Sequence, residues 1–413
     1  MPTFNITKQQ LETEWASAQP VAGVRLAATS AGIRYKNRDD VLLMEICDGG
    51  QVAGVFTQNA FCAAPVIVAK QHLIAGAPRF LLVNAGNANA GTGQKGIDNA
   101  NACCQAVAEL LQCSADHVMP FSTGVIGEHL PVDKIVAALP ILKEGFVENN
   151  WQTAAKAIMT TDTLPKAVTR TAVIDGHKIT ATGIAKGAGM ICPNMATLLT
   201  YIATDAAISK PLLQSMLNEL ADKTFNRITV DGDTSTNDAC VLVASGKAKL
   251  PIIENANDVR LQPLMDLLHE VFNFLAVAII CDAEGANKLV NVSVVQGANQ
   301  RECQLVARAV AHSPLVKTAL FASDPNWGRI LAAVGRAGLE NLDIGKIKIL
   351  LNGVCIVSNG GRDSHYREEM GITAMKQDRI DIEIHLGRGN DAANIWTCDL
   401  SYDYVKINAE YRT

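Results

Sequence analysis

The chain has 413 residues, long enough for two or three domains or one large layered domain with a sizeable core. With 48% hydrophobic and 19% charged residues it is not a disordered chain, and 5% aromatics exclude an aromatic-rich binding module. The 36 basic and 41 acidic side chains give a net charge of −5 with no basic stripe, which excludes nucleic acid as the principal partner.

In chain order, Asp40–Ile46 and Gln51–Phe56 read as strands around an Asp48-Gly49-Gly50 turn, a hairpin signal. Phe80–Val83 reads as a buried strand, and Asp98–Leu111 has helical periodicity with Ala102, Ala106 and Leu110 on one face. Pro131–Leu139 and Asn149–Met159 are helix candidates, and Ala172–Ile174 and Lys178–Thr182 flank Asp175-Gly176 as a second hairpin. Leu198–Ala203 reads as a strand, Lys210–Thr224 as a helix with Pro211 near its start, Ala239–Ala244 as a strand and Asp258–Ala283 as a long buried helix. Glu302–His312 and Trp327–Gly338 are mixed, whereas Ile347–Leu351, Arg379–Leu386 and Trp396–Val405 return to strands. Helices and strands interleave without a strict βαβ rhythm, which predicts layered α/β or α+β packing. No repeat, charge block or low-complexity linker marks a domain boundary.

The N-terminal Met1–Lys8 lacks the apolar stretch of a signal peptide, and the longest apolar run, Phe274–Cys281, falls short of the ~20 residues of a membrane helix. The 11 cysteines are an odd number without C-x-x-C, and neither they nor the 8 histidines show metal-ligand spacing. Dispersed reduced thiols point to a cytoplasmic protein with no metal and no membrane partner.

Gly91-Thr92-Gly93-Gln94-Lys95-Gly96 matches G-x-G-x-x-G, but the preceding strand is expected to end near Val83 with seven small or amide residues between. A dinucleotide site needs the first glycine at the strand end, so a Gly/Asn-rich turn that lines a pocket is the better reading. Asp231–Asp238 is dense in oxygen ligands yet lacks the spaced glutamate of a calcium loop. It reads as a polar turn capping the next element, or as a loop on the substrate side.

Lys186-Gly-Ala-Gly-Met-Ile-Cys-Pro-Asn-Met-Ala-Thr197 carries the chemistry. Two glycines and a proline permit a sharply bent backbone just before an apolar strand. On propensity alone Thr197 is a strand-edge residue. The chemical alternative is that strain exposes the Ala196–Thr197 peptide to the Thr197 hydroxyl, and an N→O acyl shift followed by hydrolysis leaves Thr197 as a new N-terminus. Such a threonine holds nucleophile and base in one residue, because its α-amine, with an ordinary pKa of about 7.7–8.0, accepts the hydroxyl proton. Cys192 is the rival nucleophile, but nothing local supplies it with a base. Phe121–Gly127 reads as a small-residue loop after a strand at Val118-Met119. Within it the Thr123 hydroxyl and the Gly124 N–H can serve as oxyanion donors, with an ordinary turn as the alternative.

The same segment, with Ser122-Thr-Gly-Val-Ile-Gly127, Val83-Asn-Ala-Gly-Asn-Ala-Asn-Ala90, Met159–Thr163, Asp231–Asp238, Ser323-Asp-Pro-Asn-Trp-Gly-Arg329 and Tyr402–Thr413, strongly resembles the ArgJ family. These are the glutamate N-acetyltransferases, or ornithine acetyltransferases, of arginine biosynthesis. The blocks span nearly the whole chain in the family's order. Ala85 and Ala188 stand where many relatives have serine, away from the proposed chemistry.

The resemblance implies an α+β fold, an αββα sandwich of the DmpA/ArgJ type that resembles N-terminal nucleophile hydrolases. It implies self-cleavage at Ala196–Thr197 into an α chain, 1–196, and a β chain, 197–413, associated as an α2β2 heterotetramer. Thr197 is then the nucleophile that passes an acetyl group from N2-acetyl-L-ornithine to L-glutamate, with Thr123 and Gly124 as the oxyanion pair. Thr160, Lys186, Thr197, Glu284, Asn408 and Thr413 carry over as substrate contacts. Lys186 suits a carboxylate and Glu284 an ammonium. No cofactor is implied; acetyl-CoA is a candidate second acetyl donor, which no motif decides. Two other readings stay open at this stage: a related amidase or aminopeptidase in which water takes the acyl group, and an uncleaved amino-acid-binding protein.

Overall fold

A computed structural model describes residues 7–34, 36–192 and 198–411. The chain folds as two compact units, the first comprising Met1–Asn226 and Thr234–Ile279 and the second Arg227–Asp233 and Ile280–Thr413.

The first unit contains α1 (Lys8–Ala16), β1 (Val24–Thr29), β2 (Val41–Ile46), β3 (Gln51–Phe56), α2 (Ala64–Ala75), β4 (Phe80–Asn87), α3 (Gly93–Leu111), β5 (Val118–Val125) and α4 (Val132–Glu144). It continues with α5 (Trp151–Ala157), β6 (Lys166–Ile174), β7 (His177–Lys186), β8 (Leu199–Thr204), α6 (Lys210–Lys223), β9 (Ala239–Ala244) and most of α7 (Leu261–Cys281). Its strands form two sheets, ordered β1-β2-β4-β5 and β3-β9-β8-β7-β6.

Alternation along each strand decides what lies between them. Leu42, Leu81, Val83, Met119 and Phe121 of the first sheet share one core with Ile184, Leu199, Tyr201, Ala239 and Val241 of the second, and Trp151 of α5 fills it further. The opposite face of the first sheet, with Leu43, Leu82 and Val118, packs on α3 and α4 through Cys104, Val107, Ile135 and Leu139. On the outer face of the second sheet, α6 reaches β3, where the Gln214 side-chain amide exchanges two hydrogen bonds of 3.2 Å with the Gly54 backbone. Gly183 of β7 lets α7 lie close, since a Cβ there would stand 2.8 Å from Leu275. Helices, two sheets and helices make the expected αββα sandwich.

The second unit contains β10 (Leu289–Gly297), α8 (Gln300–Ala311), α9 (Pro314–Phe321), α10 (Trp327–Gly335), β11 (Lys348–Leu351), β12 (Val354–Ser358), β13 (Gly361–Arg362), α11 (Glu368–Met375), β14 (Arg379–His385), β15 (Asp391–Cys398) and α12 (Tyr402–Ala409). Its sheet runs β13-β12-β11-β14-β10-β15. One face, including Val292, Ile349, Ile382 and Ile395, packs on Val306, Val310, Leu320 and Ile330 of the helices.

Three expectations about these elements change. The turn at Asp48-Gly49-Gly50 does not close a hairpin, because β2 lies between β1 and β4 while β3 pairs with β9 in the other sheet. Both neighbours of β2 are already taken, so the turn carries the chain between sheets. Trp396–Val405 is not one strand. The Asp399 carboxylate accepts the N–H groups of Asn287 and Lys288 at 2.8 and 3.0 Å, which pulls the chain out of β15 before α12 begins. The two mixed segments are helices, α8 and α10, each opened by an asparagine whose side chain accepts an N–H three residues on. Helix α7, at 21 residues, is long and apolar enough to cross a membrane; most of it is buried within the fold, as a core helix is.

Candidate active site

Strand β5 runs on through Val125, so Phe121–Val125 is strand rather than the loop expected there. The extra length matters for aim. With a period of two, Met119, Phe121 and Thr123 share a face, and the first two lie in the core between the sheets. Thr123, 9% exposed, continues that row at the end of the strand. Gly124 follows with φ +134°, where a Cβ would stand 2.3 Å from the Gly86 carbonyl carbon on β4. No other residue fits there. The parallel β4–β5 ladder shifts register at this point, between Gly86 and Asn87.

Across the sandwich, Ile184 and Lys186 share a face of β7, and Lys186 Nζ donates to Thr123 Oγ1 at 3.2 Å. Two expected site residues from different sheets therefore meet. Asp162 organises the rest. Its carboxylate accepts Lys166 Nζ at 2.7 Å, the Gly187 N–H at 2.8 Å and the Thr160 N–H at 3.0 Å. Burial alone would push this carboxyl up, but the Lys166 and Lys186 charges and the Gly187 N–H hold it far below the ordinary carboxylate range. Asp162 thus ties Thr160 and the backbone after Lys186 to one buried anion.

Asp238, just before β9, shows the opposite case: burial drives its carboxyl well up, against the opposing pull of a Ser235 hydrogen bond and the Lys186 charge. The Gly-rich motif lies at the start of α3, and β4 runs to Asn87 rather than ending near Val83. Asn89 Nδ2 donates to the Gly96 carbonyl at 2.9 Å and Thr92 Oγ1 to Asn89 Oδ1 at 2.9 Å, the side-chain bonding of an Asn-rich turn. Cys192 is buried, and its carbonyl accepts the Thr234 hydroxyl at 3.3 Å.

In the second unit, Glu284 and Asn408 come together. Asn408 Nδ2 donates to Glu284 Oε2 at 2.7 Å and to the Tyr404 carbonyl at 3.0 Å. Gly285, at φ +68°, admits this approach, because a Cβ there would lie 2.6 Å from the Tyr404 nitrogen. Ser401 Oγ donates to the Gly285 carbonyl at 2.7 Å, so the start of α12 is docked. Tyr404 OH donates to Asp231 Oδ2 at 3.2 Å. Burial first, then the carboxylates of Asp231 and Glu284, raise the Tyr404 hydroxyl far above the ordinary phenol range. The cluster is anionic and suits an ammonium group.

Ala196, Thr197 and Thr413 lie outside the described residues. What is described is the frame around Thr197 in sequence: β8 starts two residues later, and Leu199 pairs with Lys186 on one side and Ala239 on the other. Asp162 was not singled out in the sequence as a site residue, although it lies within the Met159–Thr163 block, four residues before Lys166.

The profile of the ArgJ family matches residues 25–413. The chain belongs to the ArgJ family. The arginine biosynthesis bifunctional protein ArgJ of Methylococcus capsulatus is 56% identical over 394 residues, covering 95% of this chain and 96% of its own. Among solved structures, the ArgJ bifunctional protein of Bacillus halodurans is 39% identical with a TM-score of 0.48, covering 50% of this chain and 96% of its own. The ornithine acetyltransferase of Mycobacterium tuberculosis, solved with ornithine, is 35% identical with a TM-score of 0.39, covering 44% of this ArgJ-family chain and 97% of its own.

Proposed function

We propose that this chain is an acetyltransferase of arginine biosynthesis that moves the acetyl group of N2-acetyl-L-ornithine to L-glutamate through an acetyl-Thr197 intermediate. The observation that carries the reading is the meeting of Lys186, on the strand that pairs with the start of β8, with Thr123 beside Gly124 on β5 of the facing sheet, in an ArgJ-family chain.

Cleavage of Ala196–Thr197 frees the Thr197 amine. That amine takes the hydroxyl proton as Oγ attacks the acetyl carbonyl, and the tetrahedral oxyanion is met by the Thr123 hydroxyl and the Gly124 N–H. Collapse breaks the amide C–N bond, and the proton passes to the departing ornithine amine. The glutamate amine then attacks the acetyl ester and the steps reverse, which restores Thr197. Thr160, Lys186, Thr197, Glu284, Asn408 and Thr413 are the substrate contacts of this reading, with Lys186 suited to a carboxylate and Glu284 to an ammonium. An α2β2 heterotetramer in the cytoplasm, divided into chains 1–196 and 197–413, belongs to the same reading. The relatives' name includes the word bifunctional, which supports acetyl-CoA as a second acetyl donor.

Intact mass spectrometry of wild type and Thr197→Ala tests this. Two fragments meeting at Ala196/Thr197 are expected for wild type and one inactive full-length chain for the variant. Transfer by an uncut wild type sinks the mechanism. Acetate release that glutamate does not affect makes the protein an amidase instead.

A further inference from the structure

Asn237 has no part in the chemistry just described, yet it links the two strands that frame it. It lies two residues before Ala239, where β9 begins opposite Leu199 of β8, and the Ala239 N–H donates to the Leu198 carbonyl at 2.8 Å. From this position Asn237 Nδ2 reaches the other sheet. It donates to the Ala88 carbonyl at 2.6 Å and to the Ser122 carbonyl at 2.9 Å. Its Oδ1 accepts the Thr236 hydroxyl at 2.7 Å, so both amide hydrogens and the amide oxygen are engaged and only one orientation of the amide satisfies them.

The Ser122 carbonyl shares a planar peptide with the Thr123 N–H, and the next peptide carries the Gly124 N–H. Fixing that carbonyl therefore fixes the plane from which Thr123 departs, directly before a glycine whose backbone freedom is large. The anchor itself does not move easily. The Ser235 carbonyl accepts the Thr57 hydroxyl at 2.7 Å, the Thr236 carbonyl accepts the Ala63 N–H at 2.9 Å, and Asn237 is 7% exposed.

We infer that Asn237 is a positioning residue for the oxyanion donors, holding the Ser122–Thr123 peptide so that the Thr123 hydroxyl and the Gly124 N–H keep a fixed aim. The inference rests on the proposed acyl transfer. Displacing a catalytic group by about 1 Å costs up to about 100-fold, so Asn237→Ala lowers kcat by about 10–100-fold. KM for acetyl-ornithine and glutamate stays within about threefold, because the amide binds backbone and not substrate. Asn237→Asp keeps the shape but sets an oxygen against two carbonyls, and lowers kcat at least as far.

The test combines steady-state kinetics of wild type, Asn237→Ala, Thr123→Ala and the double variant with intact mass and circular dichroism on each. The expected result is a folded Asn237→Ala protein with reduced kcat, or one that folds and cuts itself more slowly, and a double variant whose loss is well short of the product of the single losses. A purely structural role lowers the melting temperature and leaves kcat alone. Wild-type kcat and cutting in Asn237→Ala, or single losses that multiply, overturns the inference. If Asn237→Ala does not fold, Asn237→Ser, which keeps one donor, takes its place under the same criteria. A wild type that transfers acetyl without being cut counts against the acyl-Thr197 reading instead, and Asn237 is then judged by the Thr123 cycle alone.

Discussion

Replacing Asp162 by Asn removes the single negative charge that two lysines and two backbone N–H groups share. The side chains of Asp162 and Lys166 are each 0% exposed and bond at 2.7 Å. Asparagine offers one oxygen where the carboxylate offers two, so it cannot serve Gly187 and Thr160 and also face Lys166 with an acceptor. The Lys166 ammonium is left buried without its counter-charge. Breaking a buried pair from one side costs about 3–5 kcal/mol, against near-neutral replacement when both members go. At about 2 °C per kcal/mol for a unit of this size, Asp162→Asn lowers the melting temperature by about 6–10 °C. The double variant Asp162→Asn/Lys166→Met recovers part of that loss, since the stranded charge is gone. The folded carboxyl lies below its unfolded value, so its contribution is present above about pH 4 and is lost on acidification; the gap between wild type and Asp162→Asn narrows in acid. Thermal melts of the three proteins at neutral and acidic pH decide the matter. A melting temperature for Asp162→Asn equal to wild type at neutral pH refutes the assignment of Asp162 as the anchor of this cluster.

Thr123→Ala removes one of the two proposed oxyanion donors and is expected to slow acetyl transfer by about 10–1000-fold in steady-state assays; an unchanged rate takes Thr123 out of that role. Gly124→Ala forces a side chain into φ +134° and against Gly86, so urea melts are expected to show a loss of at least about 1–3 kcal/mol, and an unshifted midpoint contradicts the geometry. His312 is held down to about 4 from 6.5, by burial first and then by Arg308, Lys317 and Arg336. Between those values the unfolded chain binds more protons, so stability is lost as pH falls from about 6.5 to about 4; His312→Gln flattens that limb, and identical slopes for both proteins exclude His312 as the cause.

The strands and helices with clean periodicity, such as Ala239–Ala244 and Lys210–Lys223, are legible in the sequence because one period dominates a long window. Pairing is less so. A tight turn at Gly49 signals reversal, but whether β2 joins β3 depends on β9, nearly 200 residues away, and no local residue records it. The end of β15 is hidden for a similar reason, since Trp396–Val405 continues to look apolar while Asp399 is turned to the N–H groups of Asn287 and Lys288. Thr123, Gly124 and Lys186 stand out through a family pattern, and the structure adds the contact of Lys186 with Thr123. Asp162 and Asn237 owe their roles to the backbone groups they bond far away in sequence, Asp162 to Gly187 beyond the neighbouring strand β7 and Asn237 to Ser122 across the sandwich, which only the folded arrangement reveals.

The order β3-β9-β8-β7-β6 bears on the cleavage proposed at Ala196–Thr197. Strands β8 and β9 come from beyond residue 196, yet they are inserted between β3 on one side and β7 and β6 on the other, all from before it. A break at Ala196–Thr197 therefore divides the polypeptide without dividing the sheet. The halves are interleaved like the fingers of two hands, each supplying the other's hydrogen-bonding edges. Within the first unit neither half has the complete two-sheet sandwich by itself, so under the proposed cleavage synthesis as one chain gives the pair its common architecture, and parting them breaks the pairing on both sides of β8 and β9.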